Sequence, residues 1–88
     1  MREFEWDENK NKQNKQIRGL DFDQAKKLWE DPGIRVYAAK DVGEARFVAF
    51  GNLNATLHAV VFTLRGAKIR IISARVASRK ERELYGKA

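Results

Sequence analysis

The sequence predicts an α+β fold: a short first strand, two helices, a four-stranded antiparallel sheet and a short basic helix. Two observations predict it. Apolar side chains recur at helical spacing over residues 22–29, whereas from Ile34 they alternate with a period of two. Short segments rich in Gly, Asn and Asp separate the alternating runs, and such segments are typical of hairpins between antiparallel strands.

The chain opens with a predicted strand and a polar helix. Residues 3–6 alternate between polar and apolar side chains, and Asp7 is suited to cap a helix that follows. Residues 8–16 contain no apolar side chain, so this helix has no apolar face to bury. We therefore expect it to be held at its ends, by Trp6 and by residues 17–20. The alternative is a disordered low-complexity segment.

The second helix has clear signals at both ends. Gly19 is suited to end the first helix, and Asp21 with Gln24 three positions later forms a capping-box pattern. Pro32 and the glycine after it end the second helix. Its apolar residues form one stripe, for which packing on a sheet is a better interpretation than a ligand pocket. They are Phe22, Ala25, Leu28 and Trp29.

Four alternating runs predict the sheet, at residues 34–38, 46–50, 57–62 and 68–72. The segments between them, 41–43, 51–54 and 64–67, are short enough for an antiparallel meander but too short for parallel crossovers. One face of this sheet would be covered by helices and the other would be available to a ligand. The 88 residues are expected to form one domain, over residues 1–88.

The end of the chain is predicted to be a basic helix. Ser78 and Glu81 form a second capping-box pattern, and Arg79 and Arg82 lie three residues apart on one helical face. Residues 65–88 contain eight Lys and Arg and two Glu, a local charge of +6 that equals the net charge of the whole chain. Such a patch attracts polyanions, although a basic face kept for solubility would give the same pattern.

The composition excludes several classes of function. There is no cysteine, so neither disulfides nor thiolate chemistry are available. One histidine and scattered carboxylates do not supply the usual ligands of a zinc site, and we expect no metal or other cofactor. No apolar stretch approaches the ~18 residues of a membrane span, and residues 1–5 lack the apolar core of a signal peptide. We therefore expect a cytoplasmic protein that does not bind membranes.

Segments along essentially the whole chain resemble a single family. They are Phe4–Asp7, Lys10, Asn14, Gly19–Phe22, Ala25, Asp31–Pro32, Glu44–Arg46, Gly51, Val60–Thr63, Arg70–Arg75, Ser78–Arg82 and Tyr85. With this spacing they resemble the BrnT family of type II toxins, whose fold is RelE-like. The resemblance implies a ribonuclease that inhibits translation.

The resemblance also implies a partner. BrnT toxins are neutralised by BrnA-like antitoxins, which carry a ribbon-helix-helix DNA-binding domain. Such an antitoxin dimerises through that domain, so the complex is expected to contain two copies of this chain. It is expected to bind operator DNA only through the antitoxin, because this chain has no recognisable base-reading element.

Two positions depart from the family pattern. Arg18 stands where the family commonly has His before Gly, and Leu64 stands where an acidic residue often precedes Arg65. Both departures bear on activity. Arginine does not exchange protons near neutral pH, so Arg18 is expected to bind phosphate and not to act as a general base.

A ribonuclease that uses the substrate's own 2′-hydroxyl needs cationic donors on the phosphate and a group that moves protons, but no obligatory metal. Arg70 and Arg75 are the first catalytic candidates. Arg46 is the next, although it also has the pattern of a surface pair with Glu44. The RNA-binding candidates are Arg18, Lys68, Arg79, Arg82 and Tyr85. Tyr85, Tyr37 and Trp6 are suited to base stacking or to ordinary packing.

The residue that transfers protons is not specified by the pattern. His58 is the only side chain whose ordinary pKa lies near neutrality, so it is a catalytic candidate. Its position in an alternating strand, which the resemblance does not mark, argues against it. Glu44, Lys15 and Lys68 remain alternatives. From the residues alone, a non-catalytic nucleic-acid-binding module and a subunit that docks an acidic protein also remain open.

Overall fold

The computed structural model describes residues 2–39 and 43–86. These residues contain five strands, three α-helices and a 3₁₀-helix. The elements are β1 (Glu3–Trp6), α1 (Glu8–Arg18), α2 (Phe22–Ala25), the 3₁₀-helix (Lys26–Glu30), β2 (Arg35–Ala39), β3 (Arg46–Leu53), β4 (Thr56–Arg65), β5 (Lys68–Val76) and α3 (Arg79–Tyr85). Within these ranges no helix is long and apolar enough to cross a membrane.

The strands form one mixed sheet in the order β1-β5-β4-β3-β2. Strands β2 to β5 make the predicted antiparallel meander, and the predicted α+β class is confirmed. β1 adds a fifth strand, parallel to β5, with Glu3 opposite Lys68 and Trp6 opposite Ile71. A parallel partner lies far away along the chain, so the local alternation that predicts β1 does not reveal where it pairs.

Three strands are longer than predicted: β3 and β4 continue into residues that resemble turns, and β5 continues to Val76. The predicted turn at 51–54 is wrong in its first part, since β3 continues to Leu53 and the hairpin turns at Asn54 and Ala55, with φ of 51° and 66°. The predicted turn at 64–67 is also wrong in its first part, since β4 continues to Arg65, and the turn itself contains Gly66 at φ 60°. Residues 41 and 42 of the predicted 41–43 turn lie outside the described residues.

α2 and the 3₁₀-helix pack on one side of the sheet, which we call the helix face. Phe22, Ala25 and Leu28 are completely buried there, against Val60 and Ile71. Burial of each large side chain contributes about 1.5–3 kcal/mol to folding. The predicted apolar stripe is therefore core, although its second half lies in the tighter 3₁₀-helix.

The other side of the sheet, which we call the open face, is covered at one end by α3. The Tyr85 ring stacks on Phe50 with centroids 4.4 Å apart, and it lies 5.0 Å from the ring of Tyr37. Ala77 completes this small apolar cluster. This is the face predicted to be available to a ligand, and α3 occupies part of it.

α1 is held by its asparagines, although none of its described residues is buried. Asn11 Oδ1 accepts a hydrogen bond from the Phe22 backbone N–H at 2.8 Å, and Asn14 Nδ2 donates to the Leu20 carbonyl at 2.7 Å. Ile17 is 75% exposed, so the expectation that it anchors the helix is wrong. Trp6 and Leu20, which flank the helix, pack against the core as expected, and the asparagines in the middle attach the helix itself.

The Asn14 side chain also makes the hydrogen bonds that a neighbouring strand would make at the edge of β5. β1 ends opposite Ile71, whereas β5 continues to Val76. Beyond β1, the Asn14 side chain donates to the Ala74 carbonyl at 2.9 Å and accepts from the Ala74 N–H at 3.2 Å. The amide therefore satisfies both backbone groups at the point where the neighbouring strand has ended.

We predict that Asn14→Ala lowers the free energy of unfolding by about 2–4 kcal/mol, because three hydrogen bonds are lost and partly buried backbone groups lose their partners. Urea denaturation measures this change. Asn9→Ala is the matched control, since the Asn9 side chain is exposed on the same helix, and it should change stability by less than about 0.5 kcal/mol. Equal losses in both variants would contradict the role given to Asn14.

Candidate functional site

A β-bulge in β5 brings Arg70 and Arg75 to the same face. The two are five positions apart, so strict alternation would place them on opposite faces. Ile71 pairs with Phe62 of β4, and Ser73 pairs with Val61, the neighbour of Phe62. Ile72, between Ile71 and Ser73, is therefore an extra residue in β5. The alternation restarts at Ser73, and both arginines lie on the open face.

Arg70 lies in a polar row that crosses the open face. It is opposite Thr63 of β4 on one side and Glu5 of β1 on the other. Arg46, the first residue of β3, lies beyond Thr63 on the same face. The Thr63 side chain is buried, and its hydroxyl donates to the Ala45 carbonyl at 2.6 Å. Arg46 and Arg70 therefore lie on the same face, on β3 and β5, with Thr63 of β4 between them.

Arg70 is held from one side only. Its Nη1 donates to Glu5 Oε2 at 2.9 Å, and each side chain is 30% exposed. Within the described ranges this is the only hydrogen bond of the Arg70 guanidinium. Nη2 and Nε thus remain as donors for a ligand.

Arg75 is held on both of its terminal nitrogens. Its Nη1 and Nη2 donate to the two carboxylate oxygens of Glu81 at 2.6 and 3.0 Å. Glu81 also accepts from the Ser78 N–H at 2.8 Å, in the predicted capping box of α3. The hydrogen bonds from Arg75 lower the pKa of Glu81 to about 2, against the opposing effect of partial burial. The same bonds raise the pKa of Arg75. The first turn of α3 therefore orients this arginine.

Several cations of the basic segment are paired with carboxylates. Arg65 lies 3.3 Å from Glu44, and Arg79 lies 3.5 Å from Glu83. Arg82 donates to the Ala77 carbonyl at 2.9 Å. Glu5 and Glu44 come from outside residues 65–88, so the positive patch is weaker than the local count of charges indicates. Within the described part of the chain, Lys68 and Lys80 form no ion pair.

Arg18 reaches the open face from its edge. It lies at the end of α1 and lines a surface groove of about 320 Å³. The groove is lined by Lys10, Gln13, Asn14, Ile17, Arg18, Ile72 and Ser73. Ser73 lies between Arg70 and Arg75 along β5, so the groove adjoins the strand that carries both arginines.

His58 lies on the helix face, on the opposite side of the sheet from Arg70 and Arg75. It is 9% exposed, and its Nδ1–H donates to the Thr56 carbonyl at 2.7 Å. Since a carbonyl can only accept, Nδ1 carries the proton. The structure does not bring this histidine to the arginines. No three His, Asp or Glu residues among those described form a group able to hold a metal ion.

The aromatic candidates for base stacking pack against other side chains. Tyr85 and Tyr37 contact Phe50 and each other. Trp6 lies edge-on to Phe22 at 6.1 Å. In this structure their rings contribute to folding contacts.

Two carboxylates beside the arginines are not predicted from the sequence as parts of a site. Glu81 was identified only as a helix cap, and Glu5 was not identified as part of a site. In β1, Glu5 lies on the opposite face from Phe4 and Trp6. The alternation therefore predicts that Glu5 faces away from the core. Its position beside Arg70 depends on the parallel pairing with β5, which has no local signal.

No curated protein matches the sequence. The family model described as "Ribonuclease toxin, BrnT, of type II toxin-antitoxin system" matches residues 6–81. The matched segment runs from the end of β1 into α3 and contains the bulged strand with both arginines. Because this match covers most of the 88 residues, the chain belongs to the BrnT family of ribonuclease toxins of type II toxin–antitoxin systems.

Proposed function

We propose that this toxin cleaves RNA without a metal ion, by attack of the substrate's own 2′-hydroxyl on the neighbouring phosphate. Cleavage of RNA in the cytoplasm would inhibit translation. The observation that carries the proposal is the alignment of Arg70 and Arg75 on the open face by the bulge at Ile72. Family membership implies the ribonuclease activity, and the arginines can stabilise the negative charge that develops on the phosphate.

The arginines suit the charge that develops during such a reaction. Attack on phosphorus concentrates negative charge on the phosphoryl oxygens, and guanidinium groups donate charge-assisted hydrogen bonds to them. Arg70 offers Nη2 and Nε, whereas the terminal nitrogens of Arg75 are occupied by Glu81. We therefore assign the larger share of transition-state stabilisation to Arg70. Arg46 flanks the same row.

The surrounding cations would guide the RNA. Lys68 extends the open face, Arg79 and Arg82 lie on α3, and Arg18 lines the edge groove. Their exposed charges suit contacts with phosphate along a single strand. We assign Tyr85 to the attachment of α3, because its ring packs on Phe50, and we leave His58 out of the mechanism, because it lies on the helix face.

Membership of a type II system implies an antitoxin partner. We propose a BrnA-like protein with a ribbon-helix-helix domain, in a complex that contains two copies of the toxin and binds operator DNA through the antitoxin. An acidic, extended segment of that partner would cover the arginines of the open face and compete with RNA for them.

We predict that Arg70→Ala lowers the rate of RNA cleavage by about 10²–10³-fold, because it removes a donor to the charged transition state. Arg75→Ala should also lower the rate. Cleavage of a ribo-oligonucleotide by purified toxin, freed from its antitoxin, measures both effects. Lys27→Ala removes an exposed cation beside the helix face and serves as the control. Full activity in both arginine variants would show that the site lies elsewhere.

A second prediction concerns the nucleophile. Cleavage should persist in EDTA, because the proposed charge stabilisation comes from guanidinium groups. An oligonucleotide with a single 2′-deoxy substitution at the scissile position should resist cleavage, while the same oligonucleotide with ribose there is cut. Gel analysis of both substrates with and without EDTA decides the point. Metal-dependent cleavage of the deoxy substrate would contradict the mechanism.

A third prediction concerns binding. Each phosphate contact contributes about −0.7 to the slope of log affinity against log salt for a single strand, so Arg79→Ala with Arg82→Ala should reduce the slope by up to about 1.4. Titrations of a non-cleavable oligonucleotide at several salt concentrations measure it. Lys26→Ala with Lys27→Ala, in the 3₁₀-helix, is the matched control. An unchanged slope in the α3 variant would exclude α3 as a contact surface.

A further inference from the structure

We propose that Glu5 is the general base that removes the proton from the attacking 2′-hydroxyl. This inference rests on the proposed function, because it names the missing proton acceptor of the same site. The matched family segment begins at residue 6, one position after Glu5.

The position of Glu5 suits this role. It lies on β1 directly opposite Arg70, and its Oε2 accepts from Arg70 Nη1 at 2.9 Å. Its Oε1 makes no hydrogen bond within the described residues, and its side chain is 30% exposed. In RNA, the 2′-hydroxyl is a close neighbour of the phosphate that it attacks. A phosphate bound by Arg70 would therefore bring that hydroxyl to the carboxylate beside it.

The other candidates on the open face are less suitable. Both oxygens of Glu81 are used by Arg75, and the pKa of Glu81 is lowered to about 2, so it is a weak base. Glu44 pairs with Arg65 at the end of the sheet. Glu3 is exposed and lies opposite Lys68, one alternation further from Arg70.

The charged groups around Glu5 are few. Arg70 and Lys68 face it from β5, and Glu3 lies two positions away on its own strand. Beyond Arg70, β4 presents the neutral Thr63 and β3 begins with Arg46. The carboxylate of Glu5 is therefore surrounded by three cations and one other carboxylate.

Glu5 takes the proton of the 2′-hydroxyl as the 2′-oxygen forms a bond to phosphorus, and the bond between phosphorus and the 5′-oxygen breaks. The 5′-oxygen leaves with a proton from water, and Glu5 later returns its proton to water. The products are a 2′,3′-cyclic phosphate and a free 5′-hydroxyl.

Glu5→Gln tests the proposal. The amide oxygen can still accept the hydrogen bond from Arg70, but the side chain cannot take a proton. We expect kcat for RNA cleavage to fall by about 10²–10⁴-fold. The acid limb of the pH–rate profile, which reports protonation of the base, should disappear. Affinity for a non-cleavable deoxy oligonucleotide should be unchanged or higher, since one negative charge is removed.

Two further variants make the test selective. Glu3→Gln removes a carboxylate from the same strand and face, and it should leave both the rate and the profile unchanged. Glu5→Asp keeps a carboxylate and should keep the acid limb at a reduced rate. Thermal unfolding of each variant confirms that the fold is intact.

The outcomes are distinct. A Glu5→Gln variant that cuts RNA at the wild-type rate would overturn the proposal. A slower variant that retains the acid limb would also overturn it, because Glu5 would then act only by positioning Arg70. Cleavage of ribose RNA by the wild-type toxin is measured in the same assay. Its absence would count against the proposed function, whereas a loss confined to Glu5→Gln concerns Glu5 alone.

Discussion

The extra residue in β5 determines which side chains share the open face. Without Ile72 as a bulge, Arg75 would point into the helix-covered core, where a guanidinium without a partner is costly. The bulge instead places Arg75 beside the first turn of α3, within reach of Glu81. The same irregularity coincides with a change of neighbour at the outer edge, from β1 to the Asn14 side chain. α1 can be polar along most of its length, because hydrogen bonds to backbone groups attach it to the rest of the protein in place of an apolar face.

Carboxylates set the conformations of the arginines on that face. Arg70 is held by one bond to Glu5, and Arg75 by two bonds to Glu81. These pairs reduce repulsion between neighbouring cations and lower the entropy that a ligand must remove. They also reduce the field that attracts RNA. Among the described residues, Arg70 keeps more unbonded donors than Arg75, because both terminal nitrogens of Arg75 are bonded to Glu81.

The sequence predicts the elements of this fold well but not the contacts between distant ones. Alternation locates β2 to β5, and the two capping boxes begin α2 and α3 at the predicted residues. Alternation cannot locate the bulge, because Ile71 and Ile72 are both apolar and either register would bury one of them. Arg70 and Arg75 were selected from the family resemblance, and only the bulge accounts for their common face. Glu5 was missed because its partner lies 65 positions away.

α3 contacts both the apolar cluster and the arginines of the open face. Its apolar attachment is the Tyr85 ring on Phe50, and its polar attachment is Glu81 on Arg75. A seven-residue helix is too short to be stable by itself, so its position depends on these contacts. Any change that loosens Tyr85 would therefore also release the orientation of Arg75, although the two side chains serve different parts of the structure. In this small protein the last element of the core also forms one wall of the candidate site, which couples the stability of the fold to the geometry of the arginines.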